Sequence, residues 1–206
     1  EELQQLLRCA RAEEFARIAW RDLQRYTTVQ QTLNELSIFA QVCIDGTLAW
    51  CFKWLKSQPH TSEFERSLPQ NFVIFALGKL GGYELNFSSD VDLVFAYHDD
   101  PSCTQEQHTN SVSFYLKLAQ LLIKVLAEQT QDGFVFRVDT RLRPFGNSGT
   151  LVPSFSAIDQ YFQTHGRDWE RYAWIKARSI AGNSQLGEQF LKDVTPFVYR
   201  RYLDYG

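Results

Sequence analysis

Two short apolar runs rich in aromatic and β-branched residues constrain the fold of this chain most strongly. Residues 71–77 (NFVIFAL) end at Gly78, as expected for a buried strand, and residues 91–97 (VDLVFAY) predict a second strand. The stretch 78–86 between them predicts a glycine-rich turn with room for one helical turn. Residues 134–141 alternate apolar and charged side chains and predict a third strand. The middle of the chain therefore predicts a small sheet.

Helical patterns surround this sheet. In residues 1–57 apolar side chains recur every three or four positions, which predicts two amphipathic helices separated near residues 26–28. Residues 109–129 predict another helix, and the chain beyond Leu151 is predicted to be helical. Four residues are candidate N-caps in that last part: Ser154, Asp168, Asn183 and Thr195. The sequence thus predicts an α+β fold, a small sheet flanked by helices.

The pattern also suggests three parts in the chain. A polar stretch, residues 57–70, has prolines near both ends and predicts a linker. We therefore expect an N-terminal helical segment with its linker over residues 1–70, an α/β core over 71–152 and a C-terminal helical segment over 153–206.

Composition excludes several classes of protein. With 21 basic and 24 acidic residues the net charge is −3, which argues against a polycation that coats nucleic acid. No apolar run of about 18 residues or secretory leader is present, so we expect no membrane partner. The four cysteines lack the spacing of a disulfide framework or zinc site and predict small buried residues in a reducing cytoplasm. The chain has no methionine, so we interpret it as a piece of a longer protein.

Three aspartates are predicted to converge. Asp90 and Asp92 are two apart in a strand and project to the same side, while Asp139 occupies the equivalent face of the third strand. Two carboxylates about 4 Å apart repel by about 4 kcal/mol at an effective dielectric constant of 20. No lysine or arginine lies between Gly82 and Glu106 to offset this repulsion. A divalent cation is the usual solution, and we expect Mg²⁺ as two ions, with Mn²⁺ as the alternative.

The glycine-rich turn supplies candidate phosphate ligands. Glycines let backbone N–H groups approach a phosphate without an intervening Cβ, although the P-loop motif G-x-x-x-x-G-K-[ST] is absent. Cationic side chains nearby can pair with phosphate charge. The candidate nucleotide- or phosphate-binding residues are Gly78, Lys79, Gly81, Gly82, Ser89, Arg141 and Arg143. A lone D-x-D or a lone glycine pair is commonly a surface feature. The hypothesis therefore depends on the glycine-rich turn, the D-x-D strand and the later aspartate strand occurring together.

These residues resemble the polymerase-beta-like nucleotidyltransferase superfamily. More narrowly, the chain resembles the family of bifunctional glutamine synthetase adenylyltransferase/adenylyl-removing enzymes. The family stretch G-K-L-G-G-x-E-L-N-x-x-S-D-x-D-L stands at residues 78–93, and D-x-R-L-R-P-x-G-x-x-G-x-L stands at 139–151. The resemblance covers nearly the whole chain. It implies that the sheet is a small mixed sheet of the polymerase-beta-like type.

The resemblance also implies a reaction and partners. Phosphate would attack the AMP phosphorus on a modified tyrosine of glutamine synthetase, giving ADP and free tyrosine, with Asp90 and Asp92 on the metals and Asp139 on the ion nearest the nucleophile. Residues 130–134 and 166–173 (GRDWERYA) favour the N-terminal, adenylyl-removing half. The implied partners are adenylylated glutamine synthetase, a PII signal protein as regulator, and the C-terminal adenylyltransferase domain of the same full-length chain.

Three alternatives stay open at this point. The sister activity, ATP-dependent transfer of AMP to glutamine synthetase, uses the same metal chemistry in the opposite sense. A non-catalytic module that binds a nucleotide or a partner protein would keep the fold without turnover. A nucleotidyltransferase acting on nucleic acid is disfavoured, because the net charge is negative and no basic stripe is present.

Overall fold

The structure, a computed structural model, describes residues 2–68, 71–99 and 102–199. The elements within those ranges follow in this order: α1 (Glu2–Leu23), α2 (Val29–Ser57), α3 (Glu63–Ser67), β1 (Phe72–Ala76), α4 (Gly78–Gly81), β2 (Val91–Tyr97), α5 (Gln105–Ala127), β3 (Val138–Asp139), a 3₁₀ turn (Gly146–Ser148), α6 (Phe155–Thr164), α7 (Asp168–Ile175), β4 (Arg178–Gly182), α8 (Ser184–Asp193) and α9 (Thr195–Val198).

The strands form one mixed sheet in the order β3-β2-β1-β4. Strand β1 is antiparallel to both β2 and β4, whereas β2 and β3 are parallel. The α+β prediction, a small mixed sheet flanked by helices, is confirmed. The two helices predicted in residues 1–57 and the helical turn at the glycines are confirmed as well.

Both faces of the sheet are covered, because alternate side chains of β1 enter two different cores. Phe72 and Ile74 pack in a cluster with side chains of α1, α2 and α5. Val73 and Phe75 pack in a second cluster with α6, α7 and α8. Every residue of β1 is buried, which explains its unbroken apolar run.

The three-part division of the chain stays a prediction. Residues of α1 and α2 share one apolar cluster with the sheet. Pro69 and Gln70, at the end of the predicted linker, lie outside the described residues, as do residues 200–206 at the end of the predicted C-terminal segment. The predicted linker contains α3, which begins with a capping box between Ser62 and Glu65.

Two strand predictions were wrong. Only Val138 and Asp139 of the predicted strand 134–141 pair with β2, because the amides of Val135 and Phe136 both donate to the carbonyl of Leu126 at the end of α5. Val135 and Phe136 are both buried, so this part has no alternation of faces. The prediction that the chain beyond Leu151 is helical missed β4.

The helix starts also need correction. Ser154 and Asn183 are N-caps as predicted, but Asp168 and Thr195 are the first residues of their helices. Helix α5 begins at Gln105, four residues before the predicted start. There the Thr104 side chain accepts from the Gln107 amide, while the Gln107 side chain accepts from the Thr104 amide.

Helix α2 and the cysteines qualify two expectations from composition. Among the described helices, only α2 is long and apolar enough to cross a bilayer, although 44% of its most apolar window is buried inside the protein. Its apolar side chains Leu36, Ala40 and Ile44 belong to the core, as in the core helix of a globular domain. The prediction that all four cysteines are buried was wrong: Cys43 and Cys51 are buried, Cys9 is exposed and Cys103 is intermediate.

Candidate functional site

Strands β2 and β3 bring two of the predicted aspartates side by side. In this parallel pair Asp92 lies opposite Asp139, and Val91 lies opposite Val138. Asp90 precedes β2 and is more exposed than Asp92. The two buried neighbours of Asp92 in β2, Val91 and Leu93, anchor the strand in the core. The short parallel ladder therefore fixes the backbone of two carboxylates at one edge of the sheet.

The Asp92 carboxylate lies at the centre of the site. None of the described residues donates a hydrogen bond to this carboxylate. Burial raises the pKa of Asp92, and the negative charges of Asp139 and Asp90 raise it further, against the opposing effect of Arg141 and Lys79. Asp92 thus carries an electrostatic cost that a cation at this position would relieve.

The other two carboxylates are paired with arginines. The backbone amide of Arg141 donates to Asp139 Oδ1 at 2.8 Å, and the guanidinium donates to both carboxylate oxygens. These bonds lower the pKa of Asp139. Asp90 accepts from Arg137 Nε in the same way. Both arginine side chains are largely exposed, at 70% for Arg141 and 52% for Arg137, so water can replace either contact at small cost.

The glycine-rich turn lies directly against Asp92. The amides of Gly81 and Gly82 donate to the carbonyls of Leu77 and Gly78, which closes the single turn of α4, and the Leu77 amide donates to the Asp92 carbonyl. Gly78 has a φ of +55°, and a Cβ built there would lie 2.3 Å from Asp92 Oδ2. The backbone of the turn can approach this carboxylate only because residue 78 has no side chain.

Two further predicted residues lie at the border of the site. Ser89 Oγ donates to Asn86 Oδ1 at 2.7 Å and closes the bend just before Asp90. Lys79 is exposed and close enough to lower the pKa of Asp92. The structure therefore places Lys79 on the rim of the site, and Ser89 in the loop that leads into β2. Their roles in binding phosphate stay predictions.

Arg143 is buried within its own loop. Its Nη1 donates to the Thr140 carbonyl and hydroxyl, its Nε to the Thr150 carbonyl, and its Nη2 to the Gly149 carbonyl. Only 8% of Arg143 is exposed. In this structure the Arg143 guanidinium stabilises the loop that follows Asp139 by these hydrogen bonds. Its contact with phosphate stays a prediction.

We expect Arg143→Met to destabilise the protein, because three loop carbonyls lose a buried charged donor. Leaving buried hydrogen-bonding groups unpaired costs about 1–3 kcal/mol. Urea unfolding followed by circular dichroism measures this loss. An unchanged midpoint would show that the loop keeps its shape without the guanidinium.

The chain is similar to known proteins over nearly its whole length. A family model described as glutamate-ammonia ligase adenylyltransferase matches residues 1–193. The chain belongs to this adenylyltransferase family. Its members are nucleotidyltransferases, so the fold and the aspartate motifs are those of an enzyme family.

Three relatives carry the name bifunctional glutamine synthetase adenylyltransferase/adenylyl-removing enzyme. The protein from Thioalkalivibrio sulfidiphilus is 46% identical over 97% of this chain, that from Nitrosococcus oceani 47% over 100%, and that from Pseudomonas aeruginosa 48% over 100%. The chain spans about a fifth (21%) of the length of each of them.

The donor set of this chain fits a hard divalent cation. Asp92 and Asp139 are neighbours across β2 and β3, and carboxylate oxygens are the ligands that Mg²⁺ prefers. Within the described ranges no group of three or more His, Cys, Asp and Glu side chains is arranged as a metal site. Arg141 and Arg137 hold two of the carboxylates instead. Since both arginines are exposed, exchange of these contacts would free the oxygens.

One residue that touches the glycine-rich turn was not among the predicted site residues. Arg178, at the start of the unpredicted strand β4, donates to the carbonyls of Leu80 and Gly81. The signal that could have found this strand is the short run 179–181 followed by Gly182 and Asn183, a dipeptide typical of turns.

Proposed function

We propose that this chain removes AMP from an adenylylated tyrosine of glutamine synthetase by phosphorolysis, in a Mg²⁺-dependent reaction that regulates nitrogen assimilation. The observation that carries the proposal is the pairing of Asp92 with Asp139 beside Gly78, in a chain of the adenylyltransferase family. Residues 166–173 support the adenylyl-removing half over the sister half. The names of the relatives contain both activities.

The proposed reaction exchanges one phosphorus–oxygen bond for another. An oxygen of inorganic phosphate attacks the phosphorus of the tyrosine-bound AMP, and the bond from that phosphorus to the tyrosine oxygen breaks. The tyrosine oxygen leaves with the electron pair and takes up a proton, so the products are ADP and unmodified tyrosine. Phosphate is already an anion at neutral pH, and the reaction therefore needs no strong general base from the protein.

Mg²⁺, or Mn²⁺ in its place, would be held by Asp92 and Asp139 with Asp90, and would supply charge neutralisation at the reacting phosphorus. The chain's own residues do the rest. Lys79 and Arg141 lie at the rim, where their charges can pair with phosphate oxygens. Gly78, Gly81 and Gly82 pack against Asp92, Lys176 and Glu84 in this structure, and their contact with phosphate is part of the proposal.

The tyrosine oxygen, which is the leaving group, needs little stabilisation from the protein. A tyrosine hydroxyl has a pKa of about 10, so its anion leaves readily once neighbouring cations stabilise the charge. Catalysis then consists mainly of positioning the phosphate and the modified tyrosine and of neutralising the charge that develops. Rigid placement of Asp92 by β2 and by the glycine-rich turn serves this purpose.

The test is to incubate the intact natural protein with adenylylated glutamine synthetase, inorganic phosphate and Mg²⁺, and to measure ADP. We expect ADP formation that requires both phosphate and Mg²⁺ and that is lost in Asp92→Asn. A second arm supplies ATP and unmodified glutamine synthetase. AMP transfer in that arm with no ADP in the first would replace our proposal with the sister activity.

The remaining outcomes also decide between candidates. Binding of ADP without turnover in either arm would favour the non-catalytic module. The partners that the resemblance implies, a PII signal protein and a C-terminal adenylyltransferase domain, belong to the same proposal, as does a cytoplasmic location. Addition of a PII protein to the first arm tests the regulator, since the proposal expects the rate of ADP formation to change.

A further inference from the structure

Arg178 of β4 holds the glycine-rich turn by its backbone. Its Nε donates to the Gly81 carbonyl at 2.8 Å and its Nη2 donates to the Leu80 carbonyl at 3.1 Å. These carbonyls belong to the end of α4. The remaining nitrogen, Nη1, donates to the Tyr83 hydroxyl at 2.8 Å and to Gln41 of α2 at 3.1 Å. One guanidinium thus links β4, the turn and α2.

Tyr83, which accepts one of these hydrogen bonds, has a backbone conformation that costs free energy. It has a φ of +56°, in the left-handed region that few residues other than glycine adopt. The guanidinium carbon of Arg178, Cζ, lies over the Tyr83 ring, 3.6 Å from the ring centroid. A cation over an aromatic face is attracted to it, and this contact offsets the backbone strain. The turn therefore keeps its shape through a contact made outside it.

The turn has little room to move between its two neighbouring strands. On one side Gly78 touches Asp92 of β2. On the other, a Cβ at Gly81 would lie 2.2 Å from the Lys176 carbonyl, just before β4. Lys176 also pairs with Glu84 at 2.6 Å. The position of the glycine backbone relative to Asp92 consequently depends on how β4 holds the far side of the turn.

We propose that Arg178 is a positioning residue that sets the distance between the glycine-rich turn and the Asp92 carboxylate. It contacts neither of the reacting atoms and acts through the carbonyls of Leu80 and Gly81. The inference rests on the proposed function for its kinetic consequence, while its structural consequence can be measured without any activity.

The kinetic test compares Arg178→Gln and Arg178→Lys with Arg8→Gln in the intact natural protein. Arg8 is a matched control, because it is an arginine shielded from solvent at least as well as the partly buried Arg178 and also donates to two carbonyls, those of Gly133 and Glu128, but it does not touch the turn. We expect Arg178→Gln to lower kcat for ADP formation about a hundredfold, as a displacement of about 1 Å in a reacting group does. Arg178→Lys should restore part of this loss, and Arg8→Gln should keep the wild-type kcat per folded molecule.

Amide hydrogen exchange supplies the readout that does not depend on turnover. The amides of Gly81 and Gly82 are bonded within the turn, so Arg178→Gln should accelerate their exchange at least about tenfold more than Arg8→Gln does. Unchanged exchange at these two amides, or an equal loss of kcat in Arg178→Gln and Arg8→Gln, would overturn the inference. If Arg178→Gln accelerates this exchange but the wild-type protein forms no ADP, the structural role of Arg178 is supported and the proposed function is rejected instead.

Discussion

Asp92→Asn is expected to lower the rate of ADP formation by about a thousandfold or more while the protein stays folded. An amide cannot replace the charge of a carboxylate at a site where charge neutralisation does most of the catalytic work. A loss of about 4 kcal/mol in transition-state stabilisation is sufficient for this factor. Single-turnover formation of ADP at saturating phosphate measures it.

The same substitution should leave stability unchanged or raise it. Burial and the charges of Asp139 and Asp90 raise the pKa of Asp92 above its ordinary value of 3.8. The folded state therefore binds this proton more tightly than the unfolded state, and the free energy of unfolding falls as the pH rises from 3.8 through the folded pKa. Asparagine does not titrate, so the variant should lack this fall and be at least as stable as wild type at pH 7.

The matched comparison is Asp132→Asn, which changes an exposed carboxylate in the loop before β3. It should leave turnover unchanged. Activity of Asp92→Asn within about tenfold of wild type would contradict the assignment of Asp92 to the reacting centre. A variant that unfolds at neutral pH would contradict the electrostatic argument, because the fold would then depend on the carboxylate itself.

The sequence predicted the elements whose signals are local. β1 was found because it is buried on both faces and is an unbroken apolar run that ends at Gly78. β2 was found because its residues are apolar and buried apart from Asp92. The sequence predicted that Asp139 joins Asp92 if the third strand lies beside the second, and these two residues are paired, although the parallel direction was not predicted. The family motifs then predicted the family, which the family model over residues 1–193 confirms.

Non-local contacts explain what the sequence did not predict. The segment before β3 alternates like a strand, but the end of α5 binds the amides of Val135 and Phe136 and removes them from the sheet. Strand β4 forms because β1 has a free edge opposite β2, and the short run 179–181 is only a weak local signal for that pairing. Arg143 has the residue type of a phosphate ligand, yet the loop around it supplies its acceptors. These outcomes depend on partners distant in sequence, which a local pattern cannot report.

Gly78→Ala should damage both the stability of the protein and its turnover. A Cβ there would lie 2.3 Å from Asp92 Oδ2 and 3.2 Å from its Cγ, so either the turn or the carboxylate must move. The φ of +55° adds a conformational cost of about 1–2 kcal/mol for any residue with a Cβ. We expect a loss of stability of a few kcal/mol by urea unfolding and a fall in turnover of about a hundredfold or more.

Substitutions at two other glycines separate the collision with Asp92 from the conformational cost of a positive φ. Gly133 has a φ of +82° with nothing within 4 Å of its Cβ position, so Gly133→Ala should show the conformational cost alone and keep its turnover. Gly46 also has open space, and it lies within α2, so Gly46→Ala should stabilise the protein by about 0.5–1 kcal/mol. A cost at Gly78 no larger than that at Gly133 would show that the turn does not press on Asp92.

A double-mutant cycle with Asp92→Ala isolates the collision itself. In that background the atoms nearest to the new methyl group are gone, and the closest remaining atom of residue 92 is its Cβ at 3.6 Å, an ordinary van der Waals contact. Gly78→Ala should therefore cost less stability in Asp92→Ala than in wild type, with an interaction energy of about 1–3 kcal/mol. Additive costs would mean that the glycine and the carboxylate do not touch in solution, and the close approach of the turn to the aspartate, on which the proposed site depends, would then be wrong.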